Sequence, residues 1–345
     1  MKYVARILTV VALASLSCGL PVSPGFAQTA QNETASLPPA LRAAVLSGNA
    51  AAVQQAIATL SAGNATQAAT LADQVVKAAE QMFATNPKAA MQVAAAAVNV
   101  IASAPVQKTA PMQSQDVITT AARLFISPTA EQVDPTAAAA LATSTLAAAV
   151  TGGNASVIAS TATNAVTAAG NILATNPAAA VALAGTAVQA VNTPAVTSGD
   201  ASQALQVAVA AARIIVTPAA QAAAPAGCAQ VAITATTVVT NPTVYASSPA
   251  SAIQVMANSY ATVTSQAVTA SNPGATATVT QTLNQASVST NLSQANPANA
   301  SQVAQILAKT YTSTKTQDQQ QQANPVQTTN QPIIEENQTK NASPS

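Results

Sequence analysis

The side chains of this chain that could carry acid–base or nucleophilic chemistry are few, and their types exclude most of it. There is no histidine and no tryptophan among the 345 residues, and the two cysteines are Cys18 and Cys228. Zinc sites built from Cys and His need more ligands than this. Ser-His-Asp and Cys-His nucleophilic arrangements both need an imidazole base and fall with it. Glu131 and Asp134 are close enough to act as paired carboxylates. They sit between Pro128 and Pro135, where a loop with solvated or helix-capping acids is the expectation, not general acid–base work. Eleven glycines form no phosphate-cradling loop, and three Phe with four Tyr cannot build stacking platforms for bases or sugars. The inventory predicts no enzyme, no cofactor and no metal site.

Two cations deserve a role. Arg123 and Arg213 occur in matching octets, Ala121–Pro128 and Ala211–Pro218, at the ends of apolar stripes. A cation there offsets the negative end of a helix and can bond its free carbonyls. An anion or partner contact is the alternative. Charge is otherwise scarce. Between Pro135 and Ala308 the formal charges are Asp200 and Arg213, whereas ordinary domains are about one-quarter charged. Neither sign dominates, so nucleic acid is not expected as a partner. Exposed faces must be made of Thr, Ser, Asn and Gln, which offer little repulsion between copies.

Lys2 and Arg6, the apolar stretch Ile7–Leu20 and the small residues Gly25 and Ala27 around Phe26 have the layout of a secretory signal, residues 1–27. Lipidation at Cys18 is the lesser alternative, because Ser15-Leu16-Ser17 fits such sites poorly. Without the signal the chain keeps 9 basic residues, 10 acidic ones and a single thiol, Cys228, expected to pack as a small hydrophobe. No later window holds about 18 strongly apolar residues, so no membrane span is expected in the mature chain. Periplasm, cell surface and medium all remain open as destinations. Seven Asn-X-Ser/Thr sequons, at Asn32, Asn64, Asn154, Asn291, Asn299, Asn337 and Asn341, are what a chain rich in these residues produces by chance.

The elements that must position these residues repeat. Gly63–Pro128 aligned without a gap on Gly153–Pro218 gives 24 identities in 66 positions, 12 of them not alanine. Copied punctuation with drifting surface is the pattern of stacked units. Leu71, Val75, Val76, Met82 and Phe83 mark one helix; Met91, Val98 and Ile101 a second; Val117, Leu124 and Phe125 a third; residues 136–150 a fourth. Pro87, Pro135, Pro177, Pro225 and Pro273 fall 48, 42, 48 and 48 residues apart. Each suits the first turn of a helix and ends the one before it. Four helices per 90 residues reads as two hairpins of about 45 residues.

The expected order is a disordered leader 28–38, capping helices 39–62, module 1 over 63–152, module 2 over 153–246, a degenerate module 3 over 247–314 and a disordered polar tail 315–345. Ile233–Val239 and Ala275–Val279 are β-branched enough to suggest strands, but their alignment with helical modules predicts helix. Residues 64–310 resemble the α-solenoid class that includes HEAT and armadillo repeats, in architecture only. Most of the Asp and Arg ladder of HEAT-type repeats is missing, as are the Trp, Leu-Gly and Tyr positions of tetratricopeptide repeats. The resemblance implies an all-α, elongated solenoid and transfers no binding site. The functional expectation is an exported, non-enzymatic protein with a structural or interaction role, self-associating through neutral faces. The alternative is a binding module for an apolar or glycan ligand.

Overall fold

The computed structural model describes residues 36–309. The signal segment, residues 28–35 of the leader and the tail from residue 310 lie outside the described residues. Those described are helical, with no strand among them. Residues 233–239 and 275–279 are helical too: β-branched residues lose little in a helix whose one face is buried, and packing overrides their propensity.

The first full helices among the described residues are α1 (Pro39–Leu46) and α2 (Ala50–Ser61). Next come α3 (Ala65–Met82), α4 (Pro87–Ile101), α5 (Ala104–Thr109), α6 (Pro111–Phe125), α7 (Pro128–Val133) and α8 (Pro135–Gly152). Ninety residues on, α9 (Ala155–Ile172), α10 (Pro177–Val191), α11 (Pro194–Gly199), α12 (Ala201–Ile215), α13 (Pro218–Ala223) and α14 (Pro225–Thr240) copy them almost boundary for boundary. The run closes with α15 (Pro242–Ser247), α16 (Pro249–Thr264), α17 (Gln266–Ser271), α18 (Gly274–Ser287), α19 (Thr290–Ala295) and α20 (Asn299–Ala308).

The six-residue helices were not foreseen, and they change the unit. From Pro177 onward a long helix and a short one together occupy 24 residues, so that helices begin at or beside 177, 201, 225, 249 and 273. The same step separates Pro87, Pro111 and Pro135. Between Pro135 and Pro177 two tight turns replace short helices, giving steps of 20 and 22 residues. That is why the first two modules repeat at 90 while Pro177 and Pro273 are 96 apart. The even 24-residue spacing therefore runs from Pro177 to Pro273, through module 2 and into the region read as degenerate.

Two backbone geometries recur at the joints. The residue before a long helix is turned out of the helical region, as at Asn86 (φ −145°, ψ 75°), Asp134 (φ −153°, ψ 81°) and Asn176 (φ −145°, ψ 72°), since a following proline disfavours helical angles there. The residue before a short helix has polyproline-like angles, as at Ser127 (φ −67°, ψ 132°) and Thr217 (φ −73°, ψ 140°). At the tight α8–α9 turn Gly153 takes φ 71° and Asn154 caps α9.

Each long helix packs on its immediate neighbours and on those two positions away. Two layers follow: α3, α6, α9, α12, α16 and α20 in one, α4, α8, α10, α14 and α18 in the other. The short helices lie at the ends of the layers, and α11, α15 and α19 touch in a row. The core runs unbroken from Leu37 to Ile306 between the layers. Leu37 is fully buried although the sequence placed it in the leader. Alanine lines much of the core, allowing close approach: a Cβ on Gly227 of α14 would sit 2.9 Å from Val181 of α10. The solenoid is an open stack of neighbours, as the sequence led one to expect.

Candidate functional site

The prolines occupy joints. Pro87, Pro135, Pro177 and Pro225 each begin a long helix, and Pro273, already helical at φ −64° and ψ −23°, stands one residue ahead of α18. The amide just beyond the turn is capped where the preceding residue allows. Asn86, Asp134 and Asn176 side chains accept from the backbone N–H of Ala89, Ala137 and Ala179. Ala224 cannot, and α14 lacks that bond.

Glu131 and Asp134 diverge. Glu131 lies on α7, not in a loop, because Ser127-Pro128 starts a helix there. Its Oε1 accepts from Asn171 Nδ2 at 3.0 Å. Partial burial raises its pKa above the usual carboxylate range, and the Asn171 bond opposes that only in part. Asp134 spends one oxygen on capping α8 and places the other 3.7 Å from Lys88 Nζ. The two carboxylates thus face separate partners. A shallow groove of about 380 Å³ lies beside Glu131 and Asn171; Glu131 is the one acid among its lining residues, and the Thr175 hydroxyl there donates to the Ile172 carbonyl.

Both arginines lie in last turns, of α6 and α12. Arg123 does not turn back to its own carbonyls. Its Nη2 reaches Glu80 Oε1 at 3.1 Å on α3 and donates to Thr120. Arg213 has no such partner, since Gly170 stands where Glu80 does in the preceding module. Arg213 is exposed and borders a groove of about 320 Å³ between α12 and α16. Leu205, Val209 and Ala210 supply apolar surface there, and Gln206, Ser248 and Ser251 add polar groups. Sequence reasoning did not find this groove, because it arises between helices 48 residues apart.

Comparison with protein-family models, with curated proteins and with solved structures finds no match to this chain. Function must be argued from its own geometry.

Cys228 is fully buried, and desolvation pushes its thiol up to about 12. It packs in α14 as a small hydrophobe. No cluster of three or more metal-ligating side chains occurs among the described residues, and no described helix is long and apolar enough to cross a membrane. Near the C-terminal end a buried polar knot closes the stack. Tyr245 donates to Asn299 Oδ1 at 2.9 Å, Asn296 Nδ2 donates to the Tyr245 oxygen at 3.0 Å, and Asn299 Nδ2 donates to the Ala286 carbonyl at 2.7 Å. Asn299 is wholly buried, so its sequon is closed to modification in the folded chain.

The short helices had a readable signal. Ser127-Pro128, Thr193-Pro194, Thr217-Pro218 and Asn241-Pro242 pair a capping residue with a first-turn proline. Pro128 and Pro218 close the octets at the ends of apolar stripes in the sequence, yet each begins a short helix.

Proposed function

We propose that this is an exported, non-enzymatic helical-repeat protein with a structural or protein-interaction role at the cell envelope or outside it, working by contact between copies. One observation carries the reading: a two-layer stack whose surface over residues 135–308 holds just Asp200 and Arg213 as charges. The exposed hydroxyls add to it. Thr143, Thr151, Thr167, Thr186 and Thr237 each donate to the carbonyl four residues back. Their protons are spent within the helix, so they present methyl groups and lone pairs outward. Such a surface is weakly hydrated for its polarity and carries no repulsive field against a second copy.

Light scattering on the protein over a concentration series tests it. Mass rising with concentration supports the structural reading. A strict monomer at high concentration moves the balance to a binding module for an apolar or glycan ligand, which the α12–α16 groove favours; thermal stability should then rise with a glycan or aliphatic probe.

A further inference from the structure

We propose that the groove between α12 and α16 is the docking site of this chain's own C-terminal segment Pro332-Ile333-Ile334-Glu335-Glu336, held by its isoleucines on the apolar floor and by its carboxylates on Arg213. The inference is independent of the self-association proposed above, since it concerns contact within one chain.

The site is half of a pair that the molecule completes elsewhere. Arg123 meets Glu80 across the layer, whereas Arg213 keeps the same helical position with Gly170 opposite. Arg213 forms no hydrogen bond or ion pair with the described residues. Asp200 is at the other end of α12, about 20 Å away at the rise of a helix. An uncompensated cation beside Leu205, Val209 and Ala210 fits a ligand that is aliphatic at one end and anionic at the other.

The chain carries such a ligand. Past residue 309 its acids are Asp318, Glu335 and Glu336, and the last two directly follow Ile333-Ile334. The spacing agrees. Val209 and Arg213 are one helical turn apart, about 6 Å along the axis. Ile334 to Glu336 spans about 7 Å when extended. The segment can also reach. Lys309 ends α20, which packs directly on α16, so the groove is about 20 Å away at helix-packing distances. A random coil of 24 residues, the number from Lys309 to Ile333, spans about 27 Å on average. That match makes the effective concentration of the segment near its maximum, so weak contacts suffice.

Methyl NMR on the full chain labelled at isoleucine tests this. The Ile333 and Ile334 δ1 signals should lie away from random-coil positions, show cross-relaxation to Leu205 and Val209 methyls, and stay unchanged on dilution by about 100-fold. Arg213→Glu should return more than half of the displacement, and adding Glu335→Lys with Glu336→Lys should restore it. The tail changes alone should also abolish docking, and they alter no residue of the described helices. Random-coil signals in the wild type, or signals indifferent to Arg213→Glu in a chain that keeps its helical spectrum, would overturn the proposal. So would a displacement lost on dilution, which would place the segment in the groove of another copy.

Discussion

Arg123 and Glu80 join α6 to α3 at 3.1 Å, while ninety residues later Arg213 faces Gly170 across the same helix pair. One half of an ion pair has been kept and the other lost. The surviving pair is itself a modest one. Both side chains are about half exposed, and such pairs contribute only about 0–1 kcal/mol. The consequence of the loss is therefore less a matter of stability than of where an unneutralised charge is presented.

Restoring the partner gives the first prediction. Gly170 is helical, exposed and has open space around it. Gly170→Glu should raise stability by about 1 kcal/mol, most of it from helix propensity and a few tenths from pairing with Arg213. Urea midpoints at low and high salt check this. The salt-sensitive part should vanish in Gly170→Glu with Arg213→Gln. In the docking proposal the same change also competes with the tail for Arg213.

The joints should respond unequally. Asn176→Ala removes the acceptor for the Ala179 amide and should cost about 1 kcal/mol. Pro177→Ala keeps the cap and should cost about 0.5–1 kcal/mol, through a more flexible unfolded chain. Equilibrium denaturation of the two variants checks the order. A larger loss at Pro177 would mean that the proline itself, not the Asn cap, keeps α9 and α10 apart.

Helix against strand, the N-terminal pair α1 and α2, and the sites of Pro87, Pro135, Pro177 and Pro225 were legible because local rules decide them: a proline cannot sit mid-helix, and apolar stripes at period 3.6 must be covered. The same period covers Val303 and Ile306 of α20, while Leu307 is only half covered. The 24-residue unit was hidden because a six-residue helix has no room for an amphipathic stripe. Arg123 was read as a helix-end cation, but its partner Glu80 lies 43 residues away and no local pattern announces it. The α12–α16 groove was invisible for the same reason.

The Tyr245 knot predicts a local failure. Tyr245→Phe leaves Asn299 Oδ1 without its buried donor, at a cost of about 1–3 kcal/mol. Because each unit touches only its neighbours, the loss should fall on α18 to α20. Hydrogen exchange should quicken there by tenfold or more, while α3 to α10 exchange as in the wild type. Uniform loss of protection would show that the stack unfolds as one body.

Cys228 predicts a pH effect with a definite sign. Its folded pKa is raised from 9.0 to about 12, so the native state keeps the neutral thiol while the unfolded chain ionises. Nothing changes below pH 9. As pH rises from about 9 toward 12, stability should fall by about 1.4 kcal/mol per unit from this group. Cys228→Ala removes that slope. Denaturation at pH 8 and pH 10 for both proteins measures the difference, which should be near zero if the thiol is in fact exposed. The same burial predicts that alkylating reagents reach Cys228 only in the unfolded chain.

The neutral surface gives the last prediction. Thr163, Thr167 and Gln189 lie off the apolar stripes of α9 and α10. Thr167 and Gln189 are exposed, but Thr163 is half-buried, so Ser160 on the same helix replaces it. Ser160→Lys, Thr167→Lys and Gln189→Lys together add three like charges to a region that holds two formal charges in all. Exposed helical positions tolerate such changes within about 0.5 kcal/mol each. Association between copies should therefore weaken while the helical spectrum and melting temperature hold. Raising salt should partly restore it in the lysine variant by screening, yet leave any wild-type assembly nearly unchanged, because the surface proposed for contact holds only two formal charges. Light scattering of both proteins at low and high salt checks the four cases. Wild-type assembly that dissolves in salt would show that charge, not the bare surface, brings the copies together.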